Sequence, residues 1–220
     1  MSDVRHTIAG KIAQSVRLDL GPGASVWATN GGLLGYSSGV RWNLRLLGGL
    51  EGAVRRSLGG AGLSLTYVEA DQAGQYVLLA ANAPGHIYTW DLAAGPVVAT
   101  RGAFLAAWGD EVDITVTVAR RAGAAFFGGA GLFLQRIAGR GTALIHGSGD
   151  FVERDLAAGE QLTVSTDNLA AFAAGVDYDI RGVGGCRKML FGGEGLFMTR
   201  LTGPGKVLLQ TLKRQTAPRS

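Results

Sequence analysis

Apolar and polar residues alternate along much of the chain. Val40, Trp42, Leu44 and Leu46 interleave with Arg41, Asn43 and Arg45. Val112, Ile114, Val116 and Val118 interleave with Asp113, Thr115 and Thr117, and Val176, Tyr178 and Ile180 with Asp177, Asp179 and Arg181. Side chains of an extended strand point alternately to opposite faces, so this pattern predicts strands with one buried and one wet face. The segments Leu132-Phe133-Leu134-Gln135-Arg136-Ile137 and Leu196-Phe197-Met198-Thr199-Arg200-Leu201 are largely apolar on both sides. They predict strands covered on both faces. Gln72-Ala73-Gly74, Gly139-Arg140-Gly141 and Gly203-Pro204-Gly205 read as equivalent hairpin turns. A helical period occurs only over residues 50–58, where Leu50, Val54 and Leu58 stand four apart.

A five-residue glycine phrase organises this pattern. It reads Gly59-Gly60-Ala61-Gly62-Leu63, Gly128-Gly129-Ala130-Gly131-Leu132 and Gly192-Gly193-Glu194-Gly195-Leu196. Upstream of each copy stands Asp-Leu-x-x-Gly, beginning at Asp19, Asp91 and Asp155. The offset from Asp to glycine phrase is 40, 37 and 37 residues, so the first copy carries an insertion. Counted from each Asp, the seventh residue is Val26, Val98 or Leu162, the fourteenth Leu33, Leu105 or Leu169, and the twenty-first Val40, Val112 or Val176. Self-similarity at a fixed period marks supersecondary units that cannot bury their apolar faces alone. Units at about 17–88, 89–152 and 153–214 are expected, within a single β domain spanning residues 1–220 and arranged about a pseudo-threefold axis. Paired glycines tolerate positive φ and close backbone approach, so Gly59, Gly60, Gly128, Gly129, Gly192 and Gly193 are expected to be structural corners.

Composition narrows the class. A hydrophobic share of 47% against 17% charged residues supplies a substantial core and excludes a disordered chain. Gly is 36 of 220 residues without a collagen period, which fits a chain of many turns. One cysteine, Cys186, precludes an intrachain disulfide and a multi-cysteine metal site. Residues 1–14 lack the apolar core of a secretory signal, and no apolar run reaches the ~18 residues of a spanning helix, so a soluble, cytoplasmic protein is expected. Residues 213–220 form a polar tail expected to be flexible.

Candidate chemistry is sparse. Gly35-Tyr36-Ser37-Ser38-Gly39 spells a nucleophile elbow, with Asp110 or Asp113 and His146 following in order. That motif needs a strand-to-helix turn in a parallel α/β sheet, and nothing here predicts one; Ser37 reads as a turn before the strand at Val40. The histidines, His6, His86 and His146, have no ligand partner at i+2 or i+4, so no metal is expected. No glycine cluster continues into the Gly-Lys-Ser/Thr of a phosphate loop, and no cofactor is expected. The net charge is +4. Three basic pairs, Arg55-Arg56, Arg120-Arg121 and Arg187-Lys188, precede the glycine phrases and are candidate anion-binding residues. A ring of them would bind phosphates with salt-sensitive affinity, but no aromatic ladder accompanies them.

Several phrases together resemble the "altered inheritance of mitochondria" (mitochondrial biogenesis) family, which has many uncharacterised bacterial members. They are Arg101-Gly102-Ala103-Phe104-Leu105-Ala106, Phe127-Gly128-Gly129-Ala130-Gly131-Leu132 and Leu190-Phe191-Gly192-Gly193-Glu194-Gly195-Leu196, with Ala83-Pro84-Gly85 and Gly203-Pro204-Gly205…Gln210-Thr211. The similarity covers roughly residues 17–214. Ala61 and Ala130 depart from the Glu common in the family's phrase, which Glu194 keeps. The resemblance implies one all-β domain related to the tryptophan RNA-binding attenuation protein, and no established enzymatic activity. A eukaryotic branch is linked to mitochondrial inner-membrane organisation, and no matching targeting segment is present here.

The expected fold is therefore all-β, a β-sandwich or double-stranded β-helix of three related units with at most one short helix. Open sheet edges leave unpaired backbone groups that another chain can satisfy, so a homo-oligomer, a trimer or similar ring, is the leading expectation. An RNA- or anionic-ligand-binding module is the second, and a small-molecule enzyme or sensor with a pocket between units the third.

Overall fold

The computed structural model describes residues 3–46, 64–118, 133–182 and 197–213. It is built almost wholly of antiparallel strands, as the alternating pattern requires. The first stretch holds β1 (Val4–Ala9), β2 (Ser15–Leu20), β3 (Ala24–Thr29), β4 (Leu33–Tyr36), β5 (Val40–Leu46), β6 (Ser64–Ala70) and β7 (Gln75–Ala80). Next come β8 (Gly85–Asp91), β9 (Val97–Thr100), β10 (Phe104–Val118) and β11 (Phe133–Ser148). The last stretch holds β12 (Phe151–Leu156), β13 (Gln161–Ser165), β14 (Leu169–Ala173), β15 (Asp177–Gly182), β16 (Phe197–Thr202) and β17 (Gly205–Gln210). Single 3₁₀ turns follow β8 and β13, and the helical period at 50–58 lies outside the described residues.

The same pairing scheme occurs in three successive sets of strands. In the first set β7 lies between β2 and β4, and β6 between β3 and β5. In the second, the C-terminal half of β11 lies between β8 and the first half of β10, and its N-terminal half between β9 and the second half of β10. In the third, β17 lies between β12 and β14, and β16 between β13 and β15. These sets span 15–80, 85–148 and 151–210, with β1 added on the edge of β2.

Cross-strand register corrects the ungapped columns. Leu33, Phe104 and Leu169 face Leu79, Ile145 and Leu209, and each is followed by a register shift. Val26, Val97 and Leu162 face Val68, Ile137 and Leu201. The second-set equivalents are thus Val97 and Phe104, one residue before Val98 and Leu105. The offset is regained at the bulge between Asp110 and Asp113, where Glu111 has φ 56. A bulge inserts one unpaired residue and bends its strand, which makes Val112 match Val40 and Val176 again.

The expected hairpin turns are corners. β6 and β7 pair with different neighbours, as do β16 and β17, so residues 71–74 and 203–204 carry the chain between sheets. At 139–141 there is no break, and β11 runs through as one bent strand. The bend needs glycine at two facing positions. Gly109 (φ 137) and Gly141 (φ 150) pair across β10 and β11, where a Cβ on either would collide with the carbonyl of Arg140 or Trp108.

Two seams join the sets. Ala28 and Trp27 of β3 pair with Ala106 and Ala107 of β10; Ala99 and Val98 of β9 pair with Ala171 and Phe172 of β14. Among the described residues no strand pairing joins the third set to the first, so hydrogen bonds do not close the expected three-way ring. The core comes in three clusters, the first around Val16, Val26, Val68 and Leu79, the second around Val97, Phe104, Ile137 and Ile145, the third around Leu169, Phe172, Leu201 and Val207. Replacing Gly141 by Ala is expected to lower stability by about 1–3 kcal/mol in urea unfolding, against near-neutrality for Gly175→Ala, whose φ is not positive and whose Cβ would meet only the Pro204 carbonyl at 3.6 Å. Equal effects would show that the β11 bend does not depend on the close approach.

Candidate functional site

The candidate anion-binding residues Arg55, Arg56, Arg120, Arg121, Arg187 and Lys188 lie outside the described residues. So do the glycine corners Gly59, Gly60, Gly128, Gly129, Gly192 and Gly193.

Ser37 sits in the corner between β4 and β5. Its hydroxyl donates to Gln75 Oε1 at 2.6 Å and accepts from the Tyr76 amide at 3.0 Å, which ties the corner to β7. The antiparallel surroundings are those of a turn and not of a nucleophile elbow. His146 is buried on β11, facing Ile87 of β8. His86 Nδ1 lies 2.9 Å from the Gly149 carbonyl and 3.1 Å from Asp150, and His6 Nε2 3.3 Å from Thr89 Oγ1. Each histidine therefore belongs to a different local arrangement.

The most distinctive surface is formed by β4 and β5. The alternation at 40–46 predicted Trp42 and Leu44 inside, and Val40 is indeed buried, but Trp42 is 45% and Leu44 55% exposed. On β4, Leu34 is 63% and Tyr36 47% exposed. Large apolar groups normally lose that surface on folding, at about 1.5–3 kcal/mol for each fully buried side chain. Among the described residues β4 and β5 are also edge strands of their sheets, with no strand paired along one side. The combination of an apolar face and open backbone edges suits binding to another β-structured surface, not proton transfer or metal ligation.

The charged residues of β5 alternate with Trp42 and Leu44 and so lie on the strand's other side. The Arg45 guanidinium stacks 3.5 Å over the Tyr67 ring, beside Trp27, whose ring centroid is 4.6 Å from that of Tyr67. Arg41 pairs with Asp71 at 2.6 Å and Arg45 approaches Glu69 at 3.9 Å, exposed contacts worth about 0–1 kcal/mol each. In the third set, Lys206 donates to Glu153 at 2.9 Å and stands 3.7 Å from Asp155. The hydrogen bond to Glu153 holds its ammonium well above the ordinary lysine range, assisted by Tyr88 and opposed by burial. The raised value means its stabilisation is complete at neutral pH and is lost only as strongly alkaline pH deprotonates it.

An all-β chain of paired three-stranded sheets, joined by seams and ending in an open apolar face, is the class of protein these features define. The chain belongs to the mitochondrial biogenesis AIM24 family, whose sequence profile matches residues 6–212. It is 31% identical over 205 residues to an uncharacterised protein, M6_Spy0233, of Streptococcus pyogenes serotype M6, covering 90% of this chain and 81% of that one. The crystal structure of protein SPYM3_0169 from Streptococcus pyogenes superposes with a TM-score of 0.77 at 28% identity, covering 96% of this chain and 94% of that one. No helix among the described residues is long and apolar enough to cross a membrane.

The exposed face makes a contrast testable in stability. Leu105 is fully buried, so Leu105→Ala is expected to cost about 2–5 kcal/mol in urea unfolding. Leu34→Ala is expected to change stability by no more than about 0.5 kcal/mol under conditions where the chain sediments as a monomer. A large cost at Leu34 there would mean that the face is already covered within the chain.

Proposed function

We propose that this is a non-catalytic β-protein, three copies of one module in a single chain, that self-associates and serves as a cytoplasmic scaffold or binding surface. The observation that carries the reading is the uncovered apolar face of Leu34, Tyr36, Trp42 and Leu44 beside two open strand edges. Large apolar side chains left exposed on neighbouring strands mark an interaction site, and an unpaired edge invites another strand. Closed or repeating symmetry is the commonest way for one chain to satisfy both needs. Ser37 is engaged in a corner, His86 with the Gly149 carbonyl and Glu153 in a surface pair, which supports a role without chemistry.

Sedimentation velocity over a micromolar concentration series at moderate salt is expected to show mass-action growth beyond the monomer. Added salt is expected to leave this growth intact or strengthen it, because the contact is apolar. A single monomer boundary at every concentration would overturn the proposal.

A further inference from the structure

We infer that β13 and Met198 of one copy dock, head to tail, on the β4–β5 face of a second copy and so make a third seam like the two within the chain. The inference rests on the self-association proposed above and names its surfaces and register.

The two internal seams have the same register. Cross-strand partners align Gly35 with Ala106 and Ala171, and Tyr36 with Ala107 and Phe172. On the donating side they align Ala28, Ala99 and Val164, and likewise Trp27, Val98 and Thr163. The first seam sets Ala28 opposite Ala106 and Trp27 opposite Ala107; the second sets Ala99 opposite Ala171 and Val98 opposite Phe172. Continuing the series sets Val164 opposite Gly35 and Thr163 opposite Tyr36. Both strands are sheet edges, and Thr163 is exposed.

Side chains exchanged across the seams follow the same rule. The residue at the β4 bulge packs backward into the preceding set: Leu105 joins the first core cluster and Ala170 the second. Its first-set counterpart is Leu34, which has no preceding set and is exposed. A residue of the strand equivalent to β6 packs forward: Leu65 joins the second cluster and Leu134 the third. Their counterpart is Met198, which has no following set within the chain. Ile114 and Ile180 are buried in the clusters that receive Leu65 and Leu134. Trp42 and Leu44, their counterparts in the first set, stand uncovered.

A hydroxyl points to the same partner independently. Across the second seam Thr100 Oγ1 lies 2.8 Å from the Leu169 carbonyl and 3.0 Å from that of Ala170. Ser165 occupies the Thr100 position in the third set, and its Oγ is buried without a hydrogen bond. The equivalent acceptors are the carbonyls of Leu33 and Leu34, which a second copy would bring. A buried unsatisfied hydroxyl is costly, and an added strand would satisfy that of Ser165 as the second seam satisfies Thr100, although the equivalent Thr29 makes no such bond at the first seam. Because the two halves of the seam differ, the contact is heterologous and builds a ring or an open filament.

The test uses two full-length variants. Leu34→Glu/Tyr36→Glu blocks the receiving face and leaves β13 free. Thr163→Pro blocks the donating edge, with Ser165→Asp as a second donor variant, since Asp is accepted before a helical turn but repels the facing carbonyls. Circular dichroism and urea midpoints verify folding. Each variant alone is expected to self-associate at least about tenfold more weakly than the natural chain. An equimolar mixture is expected to give one dimer that grows no further. In a Cys186→Ser background, Tyr36→Cys and Thr163→Cys chains are expected to cross-link to each other and not to themselves. If the natural chain assembles while a folded blocked variant assembles equally well, or the mixture gives no dimer, the seam is wrong and self-association stands. If the natural chain never assembles, both fall.

Discussion

The seam between strand sets is the interaction on which the rest of this structure depends. Each set is two small three-stranded sheets, and neither can shield its own apolar side. The seam supplies strand hydrogen bonds and an exchange of side chains at once. Leu105 and Ala170 pass backward while Leu65 and Leu134 pass forward, so each core is completed by a neighbour. An array of this kind is stabilised by contacts between neighbours, as in repeat proteins generally, and its ends are where completion stops.

Those ends explain the odd features together. Exposed Leu34 and Tyr36, exposed Trp42 and Leu44, the open edge of β13 and the unsatisfied Ser165 hydroxyl are all positions whose counterparts are covered or bonded at internal seams. Natural sheet proteins usually blunt an open edge with charge, proline or a bulge. Here a bulge is present in β4, but its equivalents in β10 and β14 lie inside seams, so it belongs to the joint and is not a guard.

Much of the architecture was legible in the sequence. Period-two alternation gave strands, and the all-β class follows from it. The residues that misled did so for definite reasons. Ungapped counting placed Val98 and Leu105 one position late, because the second set loses a residue before β9 and regains it at Glu111, and a bulge is invisible to periodicity. Gly139-Arg140-Gly141 spells a turn, yet glycine serves equally for a close crossing inside a bent strand. Trp42 and Leu44 obey the alternation of a buried face, but alternation identifies a face without saying what covers it. The basic pairs and glycine phrases, foremost in the sequence, fall outside the described residues, while Tyr36 of the open face sits inside a Gly-x-Ser-x-Gly spelling. Side-chain size gave no signal either, since Phe172 and Tyr178 of the third set, at the positions of Tyr36 and Trp42, are aromatic and packed in a core.

Hydrogen–deuterium exchange in β4 and β13, followed as the protein is diluted from assembled to monomeric, measures the shared seam most directly. The account predicts that outward-facing amides of both strands are protected in the assembly and become labile together on dilution, while β9 and β14 stay protected throughout. Protection of β4 and β13 that does not change with concentration would contradict it.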